Sequence, residues 1–109
     1  MRLPFDTATP IAPIIVLVKE VTNDIGTDDH DVLKEYLTDE DIEDIVHITD
    51  ITVRGVSSVD DGRITIQIKG ESIPGHQFSA KRALLKAIAG HLEANEIHFY
   101  STHLPQIGT

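Results

Sequence analysis

Apolar and polar positions change rhythm several times along the chain, and each rhythm predicts an element. Ile14 to Val21 opens with Ile-Ile-Val-Leu-Val, β-branched and apolar on both alternating faces, the pattern of a central strand covered on two sides. Residues 1–13 hold Pro4, Pro10 and Pro13. Proline fixes its own φ and pushes its predecessor out of the helical region, so this stretch reads as an extended arm. Further on, Thr27 or Asp28 is placed to cap a helix that carries Val32, Leu33, Tyr36 and Leu37 on one face. Thr38 opens a second cap. Asp39-Glu40-Asp41 then fill a first helical turn, where the helix dipole favours negative charge, and Ile42, Ile45 and Val46 make the buried stripe.

Strict alternation follows. Ile51, Val53 and Gly55 interleave with Thr52 and Arg54, and Ile64, Ile66 and Ile68 with Thr65, Gln67 and Lys69. The turn Asp60-Asp61-Gly62 joins the two runs as a hairpin, because glycine reaches positive φ at least cost. Pro74-Gly75 breaks the pattern, and Phe78 to Leu92 resumes as a helix with Leu84, Leu85, Ile88 and Leu92 on one side. Glu96 to Thr102 alternates Ile97 and Phe99 with His98 and Tyr100, which predicts a last half-buried strand before a tail at 105–109. The order strand, helix, strand, strand, helix, strand over residues 14–104 resembles the split βαβ, or ferredoxin-like, arrangement. It implies a single α+β domain (βαββαβ) with a four-stranded antiparallel sheet and both helices on one face. That scaffold carries many unrelated activities, so it fixes none here.

Composition narrows the picture. A chain of 109 residues with 40% apolar content can close one core and is too hydrophobic for a disordered acidic tail. With no cysteine, disulfides, thiolate nucleophiles and Cys-ligated zinc are all excluded. The apolar stretch Ile11 to Val18 is far shorter than the roughly 20 residues that span a bilayer, and no small-residue cleavage site follows it. No membrane contact and a cytoplasmic location, the host cytoplasm if the protein is viral, are therefore expected.

Charge changes the picture most. The chain has 18 acidic and 9 basic side chains, a formal net charge of −9. The acidic ones concentrate between Glu20 and Asp61, where Lys34 and Arg54 are the only cations. Asp39 with Glu43, and Glu40 with Asp44, lie four apart and repel on a helix face. A solvated face that keeps the protein soluble is the simplest account of such a run. The sharper account is that clustered carboxylates imitate phosphates and dock on a cationic protein surface that otherwise holds nucleic acid. Nuclease immunity proteins and DNA mimics work in this way. On that account Asp28, Asp29, Asp31, Glu35, Asp39, Glu40, Glu43 and Asp44 form a partner-binding face. The protein is then expected to be a non-enzymatic interaction domain, such as a phage or mobile-element inhibitor or an immunity protein, that binds a basic protein and not nucleic acid itself. The alternatives are a viral assembly component and a regulatory domain for a small ligand.

The search for reaction chemistry yields little. Asp24 to Glu35 lacks the glycine that a calcium loop needs at its sixth position, and no two of the six histidines have the H-x-x-x-H spacing of a helical metal site. No serine sits in a nucleophile elbow, and Gly70 and Gly75 are too sparse for a phosphate cradle. No catalytic residue, metal ligand or cofactor is expected. Ser79-Ala80-Lys81-Arg82-Ala83 is similar to the basic helix start of double-stranded RNA-binding domains, with Lys81, Arg82 and Lys86 as the implied contacts. The net charge of −9 opposes that use. Finally, the sheet face away from the helices is expected to carry Ile15 and Leu17 beside Arg54, Lys69, His98 and Tyr100. An apolar patch with a polar rim marks a contact surface, so a homo-oligomer is expected through this face.

Overall fold

A computed structural model describes residues 1–60 and 62–99 of the chain. The elements run β1 (Arg2–Asp6), α1 (Ile11–Ile25), α2 (Asp31–Lys34), α3 (Asp39–Ile45), β2 (Ile48–Asp60), β3 (Arg63–Ser72) and α4 (Gln77–Ala94). The three strands form one antiparallel sheet in the order β1-β3-β2. The α+β class holds, but the four-stranded ferredoxin-like sheet does not. Among the described residues the sheet has three strands, and four helices accompany it.

A strand and a helix change places at the start of the chain, and residues 96–99 do not form the expected fourth strand. Residues 2–6 of the expected arm are a strand: Leu3 and Phe5 are buried while Arg2 and Asp6 are exposed, and Leu3 pairs with Ile66 and Phe5 with Ile64. Pro4 is tolerated because β1 is an edge strand with a neighbour on one side only. The run expected as a central strand, Ile14 to Val21, lies instead inside α1, which buries Ile14, Val18 and Val21. Those positions recur at the helical spacing i, i+4, i+7, and the polar residues Lys19, Glu20 and Asn23 occupy the rest of the turn. Pro13 falls in the first turn, where its missing N–H would have no intrahelical partner anyway.

The hairpin forms as expected, with β2 and β3 antiparallel and Gly62 at φ 77° before β3; Asp61 lies outside the described residues. The long helix also forms, burying Ala80, Ala83, Leu84, Ala87, Ile88 and Leu92. It closes with a Schellman motif: Ile97 N–H donates to Leu92 O at 2.9 Å and Glu96 N–H to Glu93 O at 3.0 Å, with Glu96 in the left-handed region at φ 62°. This turn carries Ile97 and then Phe99 back onto the core, where the Phe99 ring lies 5.4 Å from that of Phe5. Residues 96–99 are therefore not the strand that the alternation suggests, although their in-and-out pattern is right. Residues 100–102 of that segment lie outside the described residues.

One sheet face carries Leu3, Phe5, Ile64, Ile66 and Ile68, all buried, and all but Ile64 join residues of α1 and α4 in a single hydrophobic cluster. Removing a side chain of this size from water contributes about 1.5–3 kcal/mol each. The one-turn α2 and the short α3 lie beside this layer, where Leu33 and Ile45 reach the core.

Candidate functional site

The acidic segment takes its shape from local capping. Asp24 Oδ2 accepts from the Leu33 N–H at 3.0 Å, which ties the loop after α1 to the single turn of α2. Thr38 caps α3 by accepting from the Asp41 N–H at 3.1 Å, and Asp41 Oδ2 accepts in return from the Thr38 N–H at 3.2 Å. This reciprocal box satisfies two otherwise unpaired donors. Asp41 also receives the Lys86 ammonium at 2.7 Å. That contact, reinforced by the backbone N–H of Thr38, holds the Asp41 carboxyl below its ordinary pKa.

Asp41 is thus bound within the fold, whereas its neighbours are not. Asp28, Asp29, Asp31, Glu35, Asp39, Glu40 and Glu43 are exposed and Asp44 is half-buried. Among the described residues none of these eight has an ion pair. The eight carboxylates lie on α2, α3 and the turns beside them. Lys34 is the only lysine or arginine between Glu20 and Asp44.

The second expected surface is not assembled. Ile15 and Leu17 are half-buried on α1 and not on a sheet face, because the segment is helical. His98 is exposed beyond the end of α4, and Tyr100 lies outside the described residues. Arg54 and Lys69 do come together, on the wall of a cavity of about 440 Å³ at the β2–β3 end of the sheet. Sequence reasoning missed this cavity, since it depends on breaks in strand register. Ser79 to Ala83 lies within α4, but Lys86 is committed to Asp41.

A third arrangement was also invisible in the sequence. His91 on α4 places Nε2 2.9 Å from Glu20 Oε1 on α1 and Nδ1 3.0 Å from the Tyr36 hydroxyl, in the turn between α2 and α3. A carboxylate only accepts, so Nε2 donates. In the neutral imidazole Nδ1 then accepts from the Tyr36 O–H. Burial, with Glu35 adding to it, raises the Tyr36 pKa, which keeps this hydroxyl protonated and unsuited to nucleophilic attack. The triad joins α1, α4 and the turn between α2 and α3 as a clasp.

No helix among the described residues is long and apolar enough to cross a membrane, and no group of three metal-ligating side chains occurs among them. Comparison with protein-family models, with curated proteins and with solved structures finds no match, so the functional reading rests on this chain's own residues.

Proposed function

We propose that this chain is a non-enzymatic interaction domain that docks the α2–α3 carboxylates on a basic protein surface, in the manner of a phage or mobile-element inhibitor or an immunity protein acting in the cytoplasm. The observation that carries the reading is the contrast inside one short segment. Asp41 is neutralised by Lys86, while seven neighbouring carboxylates from Asp28 to Glu43 are exposed and have no ion pair among the described residues. Keeping like charges four apart on α3 destabilises the helix. Tolerating that cost fits a face whose field draws in an oppositely charged partner and fixes its orientation.

The test is the triple reversal Glu40→Lys, Glu43→Lys, Asp44→Lys, compared with the native chain in capture of partners from the source cell. A basic protein that the native chain retains, that heparin releases, and that the reversed chain fails to retain supports the reading. Equal retention by both chains refutes it. The reversal turns the repulsion between positions 39 and 43 into an attraction but leaves positions 40 and 44 alike in charge, so urea unfolding of both chains accompanies the capture, and lost binding counts only where the unfolding midpoints agree.

A further inference from the structure

The β2–β3 cavity has a composition opposite to that of the molecule around it. Arg54, Lys69 and Lys81 line it, and among the described residues no aspartate or glutamate does, in a chain of net charge −9. None of the three cations has an ion pair among the described residues. Ile48, Ile51 and Leu84 give the lining an apolar part, beside the neutral polar Gln67, Ser72 and Gln77.

The strand pairing explains how these residues converge. Thr49 pairs with Glu71 and Thr52 with Lys69, so two residues of β2, Asp50 and Ile51, stand opposite Gly70 alone. Val53 pairs with Ile68 and Gly55 with Gln67, which leaves Arg54 as an extra residue. Bulges of this kind re-aim a side chain away from the simple alternation of a strand, and here both Ile51 and Arg54 line the cavity. Gly70 completes the packing, since a Cβ there would lie 3.2 Å from Ile48 Cγ2 and 3.3 Å from Ile51 Cγ1. Lys81 reaches the same space from α4.

We propose that this cavity binds a small organic anion with an apolar body and a carboxylate or phosphate head. The head meets Arg54, Lys69 and Lys81, and the body lies on Ile48, Ile51 and Leu84. The volume of about 440 Å³ lies within the range of small-molecule sites, which combine an apolar lining with a few placed polar groups. A site with three cations and no carboxylate rejects neutral analogues of the same shape, because charge-assisted hydrogen bonds form only with the anion.

Titration of the ¹⁵N-labelled full chain with hexanoate, hexyl phosphate and hexanol, followed by amide chemical shifts, tests this. The expected result is saturable shifts centred on Gly70, Ser72, Gln77 and Lys81 for at least one of the two anions. Hexanol should bind at least about tenfold more weakly, the factor expected from one charge-assisted contact. The tighter of the two anions identifies the head group. Lys69→Gln and Lys81→Gln, both at exposed positions, should each weaken the anion about tenfold and leave hexanol unchanged. Absence of saturable shifts at these amides for both anions, or equal affinity for hexanol, overturns the proposal on the native chain alone. The acidic face plays no part in this experiment, so its outcome is independent of the reading given above.

Discussion

Gly90 sits directly against Tyr36: a Cβ added to Gly90 would come within 2.6 Å of Tyr36 Cδ1 and 3.2 Å of Tyr36 Cβ. The absence of a side chain at one position of α4 is what lets the ring of Tyr36 lie flat enough on the helix to reach His91 one residue further on. Glycine inside a helix costs up to about 1 kcal/mol relative to alanine, and here that cost purchases the close approach.

Gly90→Ala should therefore destabilise the protein despite alanine's better helix propensity. The atoms in the way are Cδ1, Cγ and Cβ of Tyr36, which give way only if the whole ring moves, so overpacking of about 1–3 kcal/mol outweighs the propensity gain. Urea unfolding at neutral pH checks the sign; a variant more stable than the native chain would contradict the packing argument.

Tyr36→Phe keeps the ring and removes only the hydroxyl that donates to His91 Nδ1. A loss of about 0.5–1.5 kcal/mol is expected, the net value of one intramolecular hydrogen bond. Loss of the Tyr36 bond also frees the imidazole to turn, so the His91 side-chain resonances should broaden in the variant.

Asp41→Asn addresses the α3 cap. The Asp41 pKa is lowered chiefly by the Lys86 ammonium, so the sign is that of a carboxylate stabilised in the folded state. Its contribution is fully present above the ordinary carboxylate value of about 3.9 and is lost as the pH falls through the lower folded value. The variant should be less stable at pH 7 by up to about 1 kcal/mol, since the amide keeps an acceptor for the Thr38 N–H but loses the Lys86 ion pair. The difference from the native chain should shrink as both are acidified below pH 4. Equal stability at both pH values would show that the Lys86 contact contributes nothing.

Glu96→Gly should stabilise. Glu96 holds a left-handed conformation at φ 62°, which costs a residue with a Cβ roughly 1–2 kcal/mol, partly offset by glycine's larger entropy in the unfolded chain, about 0.4–1 kcal/mol. A gain of up to about 1 kcal/mol, read as a higher thermal midpoint, is expected. A lower midpoint would show that the glutamate side chain contributes more than its backbone strain costs.

What could be read from the sequence follows from how local each signal is. The β2–β3 hairpin and α4 are specified by neighbours: alternating isoleucines at 64, 66 and 68, and apolar positions at 84, 88 and 92. The Thr38 cap is equally local, with both partners three residues apart. The first twenty-five residues misled because β-branched density at Ile14, Ile15 and Val16 outweighed the helical spacing of Ile14, Val18 and Val21, and because Pro4 disguised the alternation of Leu3 and Phe5. Propensity is a weak prior that tertiary context overrides. Here that context is β3, whose free edge β1 occupies. The run of carboxylates was legible as a run, since its residues are neighbours in the chain, whereas the cavity was not, since it depends on which residues of β2 fall out of register. Tyr36, His91 and Glu20 come from three elements up to 71 positions apart, a separation at which no pattern in one sequence points to the contact.

The register breaks along β2 also bear on how molecules meet one another. β2 borders the sheet with thirteen residues and three shifts of pairing, and the opposite border is the five-residue, proline-bearing β1. Neither margin offers an incoming chain an unbroken row of amide and carbonyl groups, which is the template that fibrils extend. Concentrated solutions of this protein should therefore stay clear of fibrous aggregates while the fold is intact.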